Sequence, residues 1–104
     1  MQATWHLPDG RIVTADVKEG QSLMEAAVAL SIPHVTGDCG GNMSCATCHV
    51  SVDSTWFGAT GGPDGFEDSM LDVAEAARTP TSRLSCQIRM RPALNGIVLH
   101  VPAP

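Results

Sequence analysis

The chain has 104 residues, of which 43% are hydrophobic, so it can bury one modest core and is not expected to be disordered. The formal net charge is −5, and the chain has only two Trp and two Phe, with no Tyr. Both features argue against nucleic acid as a partner, and the negative charge also argues against anionic lipid. We expect a single domain spanning residues 1–104 and a protein partner with a basic face.

No targeting or membrane segment is visible in this sequence. Met1–Gly10 lacks a basic stretch followed by an apolar one, and the longest apolar run, Ala26–Leu30, is far too short to span a bilayer. We therefore expect a cytoplasmic monomer with no membrane partner. In a reducing cytosol, four cysteines are more often metal ligands or catalytic thiols than disulfides.

The first two predicted elements form a β-hairpin. Gln2–Leu7 and Arg11–Val17 are apolar-rich, β-prone runs, and the turn-forming residues Pro8, Asp9 and Gly10 lie between them.

A helix follows the hairpin. Ser22 and Glu25 have the spacing of a capping box and precede the apolar run Ala26–Leu30. The residues expected on its buried face are Leu23, Ala26, Ala27 and Leu30. Pro33 is expected to end the helix.

The middle of the chain is predicted to be irregular apart from two short elements. Residues 36–47 are rich in Gly, Cys and polar side chains and predict a loop, after which His49–Val52 is a short strand. Residues 58–65 predict a flexible connector. The acidic stretch Phe66–Ala77 predicts a helix with Phe66, Met70 and Val73 on one apolar side.

Two strands are predicted to close the fold, Arg83–Ile88 and Ile97–Val101, joined through a turn at Asn95-Gly96. Together with the hairpin and the first helix, they favour an α+β architecture. In it, one main helix packs across a mixed sheet and a long loop carries the cysteines.

The four cysteines have the spacing Cys39-x5-Cys45-x2-Cys48-x37-Cys86. A [2Fe–2S] cluster needs four thiolates, two on each iron. The glycines at 40 and 41 can adopt positive φ and turn backbone N–H groups toward cluster sulfurs. The spacing therefore predicts a cluster with three ligands from one loop and the fourth from a distant strand.

Five other kinds of site fit these cysteines less well. Cys45-Ala-Thr-Cys48-His49 matches the c-type haem attachment signature C-x-x-C-H, but haem would leave Cys39 and Cys86 unexplained. Structural zinc usually uses two short cysteine knuckles, which this spacing lacks. Two disulfides are disfavoured by the compartment, and a Cys45–Cys48 redox enzyme leaves two cysteines unused. A Rieske centre would need two histidines in place of two cysteines.

The cysteine segments also resemble a known family. The loop from Gly37 to Val50 (GDCGGNMSCATCHV) and the stretch from Ser82 to Ile88 (SRLSCQI) are similar to vertebrate-type [2Fe–2S] ferredoxins of the adrenodoxin/putidaredoxin kind. They are most similar to the bacterial putidaredoxin-like branch. The resemblance extends to Asp68–Asp72 and Leu94–Val98, so it covers nearly the whole chain.

The resemblance implies a β-grasp (ubiquitin-like) fold and an electron carrier rather than an enzyme. Its donor would be an FAD-dependent ferredoxin reductase that oxidises NAD(P)H. Its acceptor would be a terminal oxygenase, and the resemblance to the putidaredoxin-like branch favours a cytochrome P450 monooxygenase. A Rieske-type ring-hydroxylating oxygenase and iron–sulfur cluster assembly are the alternative acceptors.

The acidic stretch is the candidate docking surface. Asp68, Asp72 and Glu75 recur at helical spacing, and Asp64 and Glu67 precede them, with no basic residue among them. The basic residues lie elsewhere in the sequence, which would make the molecule dipolar and steer it toward a basic partner. In the resembling family this helix docks on a basic surface of the reductase and often of the oxidase. The predicted docking residues are Asp38, Glu67, Asp68, Asp72 and Glu75.

The remaining polar and aromatic residues of interest receive structural roles. His49 is expected to hydrogen-bond near the cluster loop rather than to bind metal. His6, His34 and His100 show no clustering in the sequence, and Trp5 is expected in the core. The methionines expected to act in packing or in loops are Met24, Met43, Met70 and Met90.

Overall fold

The computed structural model describes residues 1–32, 35, 48–72 and 78–102. Its strands are β1 Gln2–His6, β2 Ile12–Asp16, β3 His49–Val52, β4 Ser82–Leu84 and β5 Ile97–His100. Its helices are α1 Leu23–Ala29, α2 Ser54–Thr60 and α3 Gly65–Leu71, with 3-10 turns at Ser85–Gln87 and Pro92–Leu94. No helix among these residues is long and apolar enough to cross a membrane.

The predicted opening hairpin is confirmed. β1 pairs antiparallel with β2, with Gln2 opposite Asp16 and His6 opposite Ile12. The turn closes through the bond from the Leu7 amide to the Arg11 carbonyl (2.8 Å), and Gly10 takes the positive φ of +94° that a side chain would disfavour.

In the described part of the chain the strands form one mixed sheet in the order β2-β1-β5-β3-β4. β1 and β5 are parallel, whereas β3 is antiparallel to both β4 and β5. With α1 packed across it, this is the β-grasp arrangement that the family resemblance implies.

The prediction for the last two strands was partly wrong. β4 ends at Leu84, and Ser85–Gln87 turns into a 3-10 helix instead of continuing the strand to Ile88. β4 and β5 do not pair with each other, since both pair with β3. The turn at Gly96 does form, with φ +95°, and the Gly96 amide donates to the Gln2 carbonyl (2.8 Å).

Helix α1 begins as predicted but ends earlier. The Ser22 hydroxyl accepts from the Glu25 amide (3.1 Å), and the buried residues of the helix are Leu23, Met24, Ala26 and Ala27. Leu30 is 42% exposed, contrary to the prediction, because the helix ends at Ala29 and Ser31 takes a φ of +56°. Pro33 lies outside the described residues.

Ser22→Ala is expected to lower the stability of the protein by about 1 kcal/mol, because it leaves an amide at the start of α1 without its acceptor. For a chain of this size that corresponds to a fall in Tm of roughly 4–8 °C by thermal circular dichroism. Ser69→Ala is the matched control, since the Ser69 hydroxyl donates to the Gly65 carbonyl on the exposed side of helix α3. Equal shifts for the two variants would contradict the capping role.

The core lies between α1 and the sheet. Trp5 is fully buried there, as predicted, and so are Leu23, Leu84 and Leu99. Met24 and Met90 are buried packing residues and Met70 is half-buried against the core, whereas Met43 lies outside the described residues.

The segment between β3 and β4 differs most from its prediction. Residues 58–65 are not a simple connector: α2 runs to Thr60, Gly61 ends it with φ +76°, and α3 begins at Gly65. α2 starts where it does because the Asp53 carboxylate caps it by accepting from the Thr55 amide (3.3 Å).

The buried side of α3 is also different from the predicted one. Phe66 is 59% exposed, and the residues that α3 buries are Glu67 and Leu71. Val73, predicted on the apolar side, lies outside the described residues.

Candidate metal centre

Two of the four cysteines lie in the described part of the chain. Cys48 immediately precedes β3, and Cys86 lies in the 3-10 turn that follows β4. Cys39, Cys45 and the neighbouring Asp38 fall outside the described residues, as does the predicted loop 36–47.

The pairing of β3 with β4 brings Cys48 and Cys86 to the same end of the sheet. His49 pairs with Leu84, so the residues just before β3 and just after β4 lie side by side. Ser85 fixes this arrangement: its amide (3.0 Å) and its hydroxyl (2.8 Å) both donate to the Cys48 carbonyl. Ser85 is fully buried and was not identified from the sequence. In the sequence, only its position directly before Cys86 could have indicated a role at the site.

Both thiols are enclosed by protein, with Cys48 1% and Cys86 4% exposed. The Gln87 side-chain amide donates to the Cys86 sulfur (3.4 Å). No group of three or more His, Cys, Asp or Glu in the described ranges could hold a metal ion, and the other two cysteines lie outside those ranges. Two shielded thiols on neighbouring backbone, one with a donor on its sulfur, fit half of a four-thiolate donor set.

His49 makes the structural hydrogen bond that the sequence analysis favoured. It is 4% exposed, and its Nε2 lies 2.7 Å from the Ser82 hydroxyl. Burial lowers the pKa of His49, and the positive charge of Arg78 lowers this pKa further. His49 is therefore a neutral packing residue that ties β3 to the start of β4.

The expectation that the other histidines do not cluster was wrong for two of them. His6 and His100 are register partners on β1 and β5, and their ring centroids are 4.9 Å apart. His100 Nε2 also lies 3.0 Å from the Asp53 carboxylate. Hydrogen bonds from the Thr55 hydroxyl first, and then from His100, lower the pKa of Asp53 to about 2. His34 lies outside the described residues.

Two of the predicted docking residues are exposed, Asp68 on α3 and Asp72 directly after its last residue. The side chains of Asp68 and Asp72 are 53% and 67% exposed, one helical turn apart. Asp64 is exposed too, and its carboxylate caps α3 by accepting from the Glu67 amide (2.8 Å). Glu75 lies outside the described residues.

The prediction that Glu67 belongs to the docking surface was wrong, because its side chain is buried and only 2% exposed. Its carboxylate accepts two bonds from the buried Arg83 guanidinium (2.5 and 3.1 Å) and one from the Leu84 amide (3.0 Å). Arg83 also donates to the Gly61 carbonyl (2.8 Å). The pair therefore joins the end of α2, the inner side of α3 and the strand that leads to Cys86.

The expected separation of basic from acidic residues is also wrong. Arg78 donates to the carboxylates of both Asp68 and Asp72, and to the Asp68 carbonyl (2.9 Å). The hydrogen bond to Asp68 is the main reason that the pKa of Arg78 is raised above its usual value. A guanidinium thus binds both of the exposed carboxylates, Asp68 and Asp72.

Comparison with known proteins agrees with this geometry. The family described as "2Fe-2S iron-sulfur cluster binding domain" matches residues 7–91. Putidaredoxin of Pseudomonas putida is 47% identical over 94 residues, which are 90% of this chain and 88% of that protein.

Two solved structures superpose closely on this one. The crystal structure of a ferredoxin from Rhodopseudomonas palustris HaA2 has a TM-score of 0.94 at 44% identity and covers 98% of this chain and 96% of its own. A chain of the covalent putidaredoxin reductase–putidaredoxin complex has a TM-score of 0.96 at 43% identity and covers both chains completely.

Proposed function

We propose an electron donor and an electron acceptor for this protein. The chain belongs to the 2Fe-2S iron-sulfur cluster binding domain family and is a ferredoxin, an electron carrier and not an enzyme. The donor is an FAD-dependent ferredoxin reductase that oxidises NAD(P)H. The acceptor is a cytochrome P450 monooxygenase. The carrier works as a single domain in the cytoplasm.

The placement of Cys48 and Cys86 at the same end of the sheet supports a bound cluster, and the solved complex of putidaredoxin with putidaredoxin reductase supports the proposed donor. Cys48 and Cys86 are the proposed ligands together with Cys39 and Cys45. The [2Fe–2S] cluster, when bound, supplies the capacity to take up and release one electron.

The chain's own residues have two functions at this site. Ser85 binds the Cys48 carbonyl through its amide and its hydroxyl, and so ties the backbone of one proposed ligand to the residue that precedes the other. The Gln87 amide donates to the Cys86 sulfur and so favours the more negative, reduced state. Neither function requires a nucleophile or a general base.

The proposed reductase-docking surface is the exposed side of α3. Asp68 and Asp72 present carboxylates there to a basic partner, and Asp38 and Glu75 are proposed to extend the surface. Exposed charges act at long range, so they accelerate encounter and are screened by salt. A carrier must leave one partner to reach the next, and docking of this kind is weak and reversible.

Charge reversal at Asp68→Lys/Asp72→Lys is expected to raise the KM for the carrier roughly tenfold in a reductase assay, with a smaller change in kcat. Putidaredoxin reductase is the probe, and the readout is the rate of cytochrome c reduction at several salt concentrations.

The matched control for this reversal is Asp16→Lys/Glu19→Lys, which changes the net charge equally at exposed positions on and after β2. The docking surface would be refuted if both double variants raised the KM by the same factor, because that result would reflect net charge alone.

The acceptor is identified by reoxidation of the reduced carrier. A substrate-bound P450 monooxygenase, a Rieske-type oxygenase and a cluster-assembly scaffold are each mixed with the reduced protein in a stopped-flow instrument. Fastest reoxidation by the P450 supports the proposal. Faster reoxidation by either of the other two would replace the proposed acceptor.

A further inference from the structure

The acidic side of α3 already holds a cation supplied by the chain itself. One Arg78 nitrogen lies 2.9 Å from the Asp72 carboxylate, and the other binds the carboxylate of Asp68. A guanidinium offers its donors in a planar fork, so a single side chain can bind both acids at once. These are the same two carboxylates that the proposed docking surface presents to a partner.

The Arg78 contacts are open to solvent and can be broken. The Arg78 side chain is 31% exposed, and the two aspartates are more than half exposed. Ion pairs in such positions add little to stability, because water and salt compete with them. The buried Glu67–Arg83 pair on the inner side of the same helix is the opposite case, since it is shielded from both.

We propose that Arg78 is an internal counter-ion that occupies the docking carboxylates and weakens the binding of a basic partner. A lysine or arginine of the reductase must displace or share this guanidinium before it can pair with Asp68 and Asp72. The contact lowers affinity and so shortens the lifetime of the complex. This inference rests on the proposed docking function and names a residue that opposes it.

Arg78→Gln is the test, with putidaredoxin reductase as the probe. The variant keeps a hydrogen-bonding side chain but removes the charge, so the KM for the carrier is expected to fall roughly two- to fivefold with kcat unchanged. The dependence of KM on salt is expected to become steeper, because more uncompensated negative charge meets the partner.

Arg11→Gln is the matched control. Arg11 also forms an exposed pair with an aspartate, Asp9 (2.7 Å), but it lies in the β1–β2 turn. The control variant changes net charge by the same amount and is expected to leave the KM close to that of the wild type. Thermal unfolding of both variants checks that the fold is retained.

The inference is overturned if Arg78→Gln leaves the KM unchanged, raises it, or lowers it no more than Arg11→Gln does. It is overturned too if Arg78→Gln still lowers the KM in an Asp68→Asn/Asp72→Asn background, where no docking carboxylate remains to be released. If Arg78→Gln unfolds, Arg78→Lys replaces it: loss of the fork should lower the KM by a smaller factor, and an unchanged KM overturns the inference.

A different outcome would refute the docking surface itself. In that case Asp68→Lys/Asp72→Lys would not differ from its own control. If instead that reversal raises the KM while Arg78→Gln has no effect, the docking surface stands and the role of Arg78 alone is wrong.

Discussion

Cys86→Ala is expected to abolish cluster binding. The purified variant should contain less than about one tenth of the iron and acid-labile sulfide of the wild type and lack its visible absorption, because each iron needs two thiolates. Electron transfer from the reductase should fall to background. Iron and sulfide analysis together with visible and EPR spectra measure these outcomes.

Gln87→Ala is the control for this variant. Gln87 is exposed, adjoins Cys86 and donates to its sulfur, so its loss should leave the cluster in place while removing one donor. A Cys86→Ala protein that retained two irons and an unchanged EPR signal would show that Cys86 is not a ligand. A Soret band in the wild-type spectrum would contradict the cluster itself.

Glu67→Gln is expected to destabilise the protein by about 3–5 kcal/mol, because it leaves the buried guanidinium of Arg83 without a counter-charge. Glutamine has one oxygen in place of two, so the variant also loses at least one of the three hydrogen bonds that the carboxylate accepts from Arg83 and Leu84. Thermal unfolding of the cluster-loaded protein should show a Tm lower by roughly 10 °C or more.

Two further variants test the explanation. Glu67→Gln/Arg83→Met removes both charges and should recover most of the lost Tm, since an apolar replacement of a buried pair is often neutral. Asp9→Asn breaks the exposed pair with Arg11 and should change the Tm very little. A Tm drop for Asp9→Asn as large as that for Glu67→Gln would mean that burial does not explain the effect.

The parts of the fold that could be predicted are those governed by neighbouring residues. The turn at Pro8–Gly10 and the cap at Ser22 depend on side chains within four positions, and the structure has both. Local rules also explain the error at residues 58–65. The glycines there predicted a connector, but Asp53 caps a helix that runs into the glycine-rich stretch.

The predictions that failed depend on contacts between distant residues. Glu67 has the spacing of a surface acid, and its partner Arg83 is 16 positions away, so its burial could not be predicted from helical periodicity. Arg78 follows the helix in sequence and was counted outside the acidic surface, yet its side chain folds back onto Asp68. Likewise, His6 meets His100 only because β1 and β5 are parallel neighbours.

The cluster site was predictable for the opposite reason. Ligand chemistry depends on residue type and spacing, and four thiols in this pattern suffice to indicate [2Fe–2S] before any geometry is known. What the pattern could not show is how the backbone at Cys48 is tied to the segment that carries Cys86. Ser85 makes this connection, through two bonds to the Cys48 carbonyl that span 37 positions.

The position of β5 in the sheet has a consequence for the order of folding. β5 follows both β1 and β3 in the chain, yet it lies between them in the sheet. The opening hairpin needs only local contacts, whereas β1 and β3 are joined only through β5, which is distant from β1 in sequence. We therefore expect the hairpin to form early and the docking of β5 to unite the two halves of the sheet in a later, slower step.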